Sequence, residues 1–343
     1  MQALQYTAPY KLDLINKEKP SPKAGEVLLK VLYSGICGSD VHGYFGTNGR
    51  RTAPMVMGHE FSAEVEGLGA GCKKLKCGDI VTVQPCIACF ECSLCKSGRT
   101  NLCGNRTFLG VFDVDGAMQE YICVPERQCF VLPKGMDSKV GSLIEAFAVS
   151  YAAVKKAKLV DGKNVLIIGG GAIGLLALAA CKMLNLPSLK VAVCDLSQNR
   201  LEIAKKLGAD VVINPGEGDF DQELINAFGK KADITIEAVG IAQTARQSLA
   251  ALEPGGTSIW IGNNHKDVNI NMQEIVTREL NVMGSYIYTH DEFGECIDAI
   301  VKSGFDMNVF ISKIIAPDEA PKMFDVLSKD TEKYLKCIIG FGG

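Results

Sequence analysis

Apolar and polar positions divide the chain into two textures. Over the first 150 residues, short apolar runs recur between Gly- and Pro-bearing breaks, and segments 26–33, 62–66, 79–83 and 120–124 are predicted as strands. Short strands with frequent turns describe a partly open barrel. From about Glu145 the pattern changes. A helix-like stretch leads into an apolar strand at 164–168 and a second helix. Strands follow at 190–194, 210–213, 234–238 and 258–261, with helices at 199–208 and 222–228 among them. Strands alternating with helices specify βαβ units on a parallel sheet. The tail from about Tyr286 holds a helix at 292–303 and a closing strand at 334–339.

One stretch resembles a membrane span. Residues 165–181 (VLIIGGGAIGLLALAAC) carry no charge, but they fall short of the roughly 18–20 apolar residues that a span requires. Their middle, Gly169-Gly170-Gly171-Ala172-Ile173-Gly174, suits a strand, a tight turn and a helix better than one continuous helix. The expectation is a soluble protein with no membrane partner. The same glycines carry chemistry. Gly169-x-Gly171-x-x-Gly174 after an apolar strand and opening a helix is a dinucleotide-binding pattern. Gly169 permits the turn, Gly171 lets backbone approach a pyrophosphate, and Gly174 lets helix and strand pack closely. The helix N-terminus, with Ile173 in its first turn, favours phosphate charge. Asp195 ends the next strand, where a carboxylate accepts from ribose hydroxyls and repels a 2′-phosphate, so NAD is expected over NADP. Arg200 lies close enough in sequence to soften that preference.

At 343 residues the chain has room for two domains. Lys and Arg total 36 and Asp and Glu 39, a net charge of −3, which argues against a broad basic surface for nucleic acid or anionic lipid. The unusual count is cysteine, at 14. That is about 4 % of the chain, below the roughly 8–10 % of a disulfide scaffold. The opening residues show neither a basic nor an apolar signal region, so a reducing cytoplasm is expected, with thiols or metal ligands in place of disulfides. Five of the 14 fall in one run, Cys86-x2-Cys89-x2-Cys92-x2-Cys95-x7-Cys103. Two-residue spacers let thiolates converge on one ion, and four thiolates close a tetrahedral zinc site with no place for substrate. An iron–sulfur cluster suits the same softness and spacing. Spacing alone does not choose four ligands from five.

Three further segments hold soft or acidic groups: GICGSDVH at 35–42, with Cys37, Ser39 and His42; GHE at 58–60, with His59 and Glu60; and Leu143-Ile144-Glu145. One thiolate, one imidazole and one carboxylate can hold zinc with a position open for a substrate oxygen. Together with the cysteine run, the glycine motif and Asp195, these segments make the whole chain resemble the zinc-dependent medium-chain alcohol dehydrogenases. It is similar to their polyol branch of sorbitol, galactitol-phosphate, threonine and sugar-acid dehydrogenases. The resemblance implies an α/β protein with a GroES-like β-barrel catalytic domain (1–150 and 287–343, with a zinc lobe at 86–106) and a Rossmann domain (151–286), a doubly wound parallel sheet that binds NAD. It also implies two zinc ions. One would sit on Cys89, Cys92, Cys95 and Cys103, leaving Cys86 over. The other would sit on Cys37, His59 and a carboxylate, either Glu60 or Glu145, which exchange or act through water. Homodimers or homotetramers are implied too, with 258–285 as the interface region. Two positions and one segment depart from the family pattern. Ala63 replaces the glycine of GHE-x-x-Gly, Ala146 replaces a proline, and 115–121 replaces a Gly-Gly-Phe-type run, which reshapes the expected pocket wall.

The expected activity is reversible NAD-dependent oxidation of a secondary alcohol on a polyol, sugar alcohol or sugar acid. Zinc acts as a Lewis acid on the hydroxyl, Ser39 and His42 relay the proton to solvent, and Glu60 counts with them among the catalytic groups. Other readings are a dehydrogenase of threonine or a simple secondary alcohol, a non-catalytic NAD-binding sensor and a zinc-independent quinone reductase. A nucleic-acid binder built on Lys96, Arg99 and Arg106 of the cysteine lobe is disfavoured by the net charge.

Overall fold

The computed structural model describes residues 1–46, 49–112, 114–330 and 332–342. The chain divides into two units. The first takes Met1–Glu145, Thr289–Val301 and the chain from Asp306 onward; the second takes Ala146–Tyr288 and Lys302–Phe305.

In the first unit, the long strand Glu26–Ile36 is the spine of a mixed sheet. Its middle pairs antiparallel with Glu60–Leu68, its start with Tyr121–Pro125 and its end with Lys336–Gly340. Ile80–Val83, Cys129–Val131 and Ile311–Ile315 extend the sheet outward. Frequent burial along the spine explains its apolar content. Leu29, Phe61, Met57, Met118 and Phe324 close the core around it. The register positions chemistry. Gly35 faces Glu60 and Ile36 faces Cys337, so Cys37, Glu60 and Lys336 all sit where strand ends meet.

The second unit is a six-stranded, wholly parallel sheet ordered 211–213, 190–194, 164–168, 232–237, 252–260, 281–284. Asn164–Ile168 is central and buried at every position, as a strand covered on both faces must be. Chain order reverses on either side of it, placing a crevice at its carboxyl end. The expected α/β class and doubly wound sheet are both found. The apolar run at 165–181 resolves into this strand, a turn, and the helix Ala172–Met183. No helix among the described residues is long and apolar enough to cross a membrane.

Some elements left no clear trace in the sequence. The hairpin Gln2–Ala8 and Lys11–Asn16 turns through Tyr10 at φ +60, where no glycine marks the turn. The edge strand Asn281–Gly284 has only four residues. The helix Ala320–Lys329 has Pro321 as its second residue, which reads as a break unless placed in a first helical turn.

Candidate functional site

Cys37, His59 and Glu60 offer ligand atoms that all lie within 4.8 Å of one another. Cys37 caps the helix Gly38–Tyr44. Its sulfur accepts from the Ser39 amide at 3.5 Å, and its own amide donates to Asp40 Oδ2 at 3.2 Å. Glu60, 1 % exposed, divides its carboxylate between two environments. Oε1 accepts from the Lys336 ammonium. Oε2 is buried with no hydrogen-bond partner among the described residues. A side chain at position 35 would put its Cβ 2.5 Å from Oε2, so Gly35 makes the room for that oxygen. A buried carboxylate oxygen left unsatisfied beside a thiol and an imidazole is costly unless a cation joins them. The donor set of sulfur, nitrogen and oxygen is one that zinc takes with a position left open.

Around this cluster runs a charged network. Asp40 is fully buried, and its Oδ1 lies 2.8 Å from Arg51 Nη2 and 3.5 Å from His59 Nδ1. Burial opposes its charge, but His59 and Arg51 outweigh burial and hold Asp40 well below the usual carboxylate range. Burial likewise disfavours a charged His59, yet the Asp40 and Cys37 charges raise it well above an ordinary histidine. Lys336 follows the same pattern: against burial, Glu60, Cys37 and Glu145 hold it above the usual lysine value. The Phe108 ring meets His59 edge-on at 5.7 Å between centroids. The departure segment packs alongside. Ala117 donates to the Gly58 carbonyl at 2.9 Å, and Met118 to Met57 at 2.9 Å.

The cysteine run folds into a small lobe in the same unit. The sulfurs of Cys89, Cys92, Cys95 and Cys103 lie together, with separations of 3.4, 3.9 and 4.0 Å among them. Four thiolates around one zinc stand about 3.8 Å apart, from bonds of about 2.3 Å. A multi-iron cluster puts its ligand sulfurs on different irons, and this packing is too close for that. Amides of Glu91 and Cys92 draw the Cys89 thiol down to about 6. Cys86 lies outside the quartet, in the short strand Cys86–Ile87, and burial pushes its thiol up to about 12. All 14 cysteines are free.

In the second unit, Gly169 takes φ +103 at the end of the central strand. A Cβ on Gly174 would stand 1.8 Å from the Gly169 carbonyl oxygen, so only glycine lets the helix sit this close to the strand. A Cβ on Gly171 would meet nothing within 4 Å apart from its chain neighbours, an opening at a helix start that has no side-chain cap. Open space against unsatisfied amides suits a pyrophosphate. Ile173 follows in the first turn, its carbonyl held by the Ser150 hydroxyl at 2.8 Å. Asp195 accepts from the Gly170 amide at 2.6 Å and the Ser197 amide at 2.8 Å, with Arg200 Nη1 3.6 Å from Oδ2.

The expected residues are therefore gathered unequally. Glu60 joins Cys37 and His59, whereas Glu145, buried in the first turn of Ile144–Lys156, lies outside their 4.8 Å set. Ser39 and His42 share one short helix, with His42 exposed and no hydrogen bond joining the two among the described residues. Asp40, Arg51 and Lys336 were not singled out from the sequence. One signal was available: Lys336 interrupts the otherwise apolar run of the closing strand.

A model of the zinc-binding dehydrogenases matches residues 172–302, and one of the alcohol dehydrogenase GroES-like domain matches 23–134. A protein of Arthroderma otae named probable D-xylulose reductase A is 32 % identical over 90 % of this chain and 89 % of its own. Galactitol-1-phosphate dehydrogenase from Escherichia coli superimposes with a TM-score of 0.91 at 26 % identity, covering 99 % of both chains. An alcohol dehydrogenase from E. coli CFT073, complexed with NADH, gives 0.92 at 27 % identity, again over 99 % of both chains.

Proposed function

The chain belongs to the zinc-binding alcohol dehydrogenase family, and from that premise we propose that it oxidises a secondary alcohol of a polyol, sugar alcohol or sugar acid with NAD+, reversibly. The observation that carries the reading is the Cys37–His59–Glu60 cluster, its histidine and glutamate buried, with its unpartnered carboxylate oxygen. The names of its relatives, a D-xylulose reductase and a galactitol-1-phosphate dehydrogenase, support the polyol class.

Cys37, His59 and Glu60 would hold a catalytic zinc, and Glu145, outside their 4.8 Å set, would serve as the alternative carboxylate only by exchange or through water. Cys89, Cys92, Cys95 and Cys103 would hold a structural one. When bound, the catalytic zinc supplies Lewis acidity to the substrate hydroxyl, and NAD+ accepts the hydride. The chain's own groups do the rest. Asp40 Oδ1, 3.5 Å from His59 Nδ1, holds the ring from that side by charge. Lys336 fixes Glu60 by one oxygen and leaves the other available. Ser39, two residues beyond Cys37, takes the substrate proton and passes its own toward His42 and solvent. Gly169, Gly171, Ile173 and Gly174 would seat the pyrophosphate of NAD, Asp195 would take the ribose hydroxyls, and Arg200 would flank them.

The edge strand Asn281–Gly284 and the helix Met272–Thr277, with Met272 72 % and Val276 65 % exposed, support a homodimer or homotetramer formed through 258–285. Fourteen free thiols suit a reducing cytoplasm. The test is NADH formation across polyols, sugar acids, sugar phosphates, threonine and simple secondary alcohols. Turnover is expected with the polyol group. Turnover with threonine or a simple alcohol alone would overturn the substrate class, and no turnover at all would overturn the enzymatic reading in favour of an NAD-binding sensor.

A further inference from the structure

We infer that Arg51 is a positioning residue for the Ser39 hydroxyl, fixing its rotor and strengthening it as a proton donor. The inference rests on the reading of Ser39 as the group that takes the substrate proton. Arg51 is almost completely buried, its side chain 2 % exposed. Its Nη2 donates to Asp40 Oδ1 at 2.8 Å and to Ser39 Oγ at 3.2 Å. A guanidinium present only to neutralise Asp40 would bond best through two nitrogens, as a fork onto both carboxylate oxygens. Here one nitrogen is shared between a carboxylate and a hydroxyl, while the buried Nε has no hydrogen-bond partner among the described residues. The approach is built into the helix. A Cβ at position 43 would stand 2.3 Å from Arg51 Cγ, so Gly43 lets the arginine stem lie across the helix one turn beyond Ser39.

The consequence follows from the hydroxyl's capacity of one donor and two acceptor sites. A permanent cation fills one acceptor site, so the O–H bond must point away from Arg51. In alcohol oxidation, the substrate O–H proton passes to Ser39 Oγ as the Ser39 proton leaves for water or His42. Bound NAD+ would accept the hydride of the carbinol carbon, so that the balance is a carbonyl, NADH and one proton. Arg51 stabilises the negative charge that builds on Oγ during this exchange, and in reduction it makes Ser39 a stronger donor to the carbonyl oxygen.

A double-mutant cycle tests the coupling. Arg51→Met, Ser39→Ala and the double variant are assayed with the panel alcohol that forms NADH fastest, alongside zinc content and NAD affinity. Arg51→Met should lower kcat about tenfold or more, as misplaced reacting groups do, with zinc content, NAD affinity and KM for NAD unchanged. In the Ser39→Ala background the same substitution should cost less than about twofold, because coupled residues are not additive. An equal loss in both backgrounds would overturn the inference while leaving the Ser39 reading intact, since Arg51 would then act through Asp40 alone. Unchanged kcat in Arg51→Met, or loss of zinc from the variant, would overturn it too. If Ser39→Ala alone leaves kcat unchanged, the Ser39 reading falls and the inference with it. Should Arg51→Met not fold, Arg51→Lys keeps a cation for Asp40 and runs through the same cycle with the same outcomes.

Discussion

Replacing Lys336 by Met removes one half of an ion pair whose side chains are 4 % and 1 % exposed. The loss should be large because it is asymmetric. Methionine refills most of the lysine stem's volume, so little packing is forfeited, but Glu60 Oε1 loses its donor while Oε2 already lacks one. A buried carboxylate stripped of its partner costs about 3–5 kcal/mol, a large part of the stability of an ordinary domain. Urea denaturation of the zinc-free protein, followed by far-ultraviolet circular dichroism, measures it. The sign of the pH dependence is fixed as well. A lysine whose pKa is raised in the folded state contributes fully below its unfolded value of about 10.4 and loses that contribution only above it. The cost should therefore stay constant between about pH 6 and 9. Zinc should narrow the gap between variant and wild type, because a cation on Oε2 supplies the charge that the lysine no longer does. A cost under about 1 kcal/mol would refute the argument from the buried pair. A full cost that zinc leaves untouched would instead refute Glu60 as a ligand.

Gly35→Ala brings a methyl to 2.5 Å from Glu60 Oε2; it should displace the carboxylate and weaken zinc retention against a chelator by about tenfold or more, whereas wild-type retention would mean that Glu60 is not needed there. Cys92→Ser should lower zinc from about two ions per chain to about one by metal analysis, with the lobe's protection from proteolysis lost first. Asp195→Asn should lower the ratio of kcat/KM for NAD to that for NADP by about tenfold or more, because the charge that repels a 2′-phosphate is gone; an unchanged ratio would mean that Arg200 already offsets it. Zinc-free protein should lose stability as pH rises from about 6.5, since His59 has a raised folded pKa and its contribution fades as it deprotonates. Calorimetry of zinc binding checks the same group: a proton should be released from His59 near neutral pH and not at a pH well above its folded value.

What the sequence revealed follows from how far apart the cooperating residues lie. The glycine turn was legible because strand, turn and helix are contiguous, and the close approach of Gly174 to Gly169 spans five residues. The cysteine lobe was legible for the same reason, with all four sulfurs drawn from 15 consecutive positions, 89 to 103. The cluster at Cys37 is different. Its members become neighbours only through sheet register, Gly35 against Glu60 on one side and Ile36 against Cys337 on the other. No local pattern encodes that register, so Cys37, His59 and Glu60 were found by resemblance rather than by spacing.

The supporting charges were lost for a further reason. Lys336 and Glu60 are 276 positions apart, and Arg51 stands beside Arg50 with nothing in sequence to distinguish them. The fold separates these two arginines by burial: Arg50 is exposed and Arg51 enclosed. Enclosure is what turns a common surface residue into part of the site. An arginine in water contributes little to a neighbouring hydroxyl, whereas one held 3.2 Å from Ser39 and shielded from solvent acts on it through a low-dielectric medium. The same reasoning applies to Lys336, and both rest on two small residues, Gly43 and Gly35, whose missing side chains leave room for Arg51 and for Glu60. The chemistry of this site thus depends as much on the glycines that admit its charged groups as on the groups themselves.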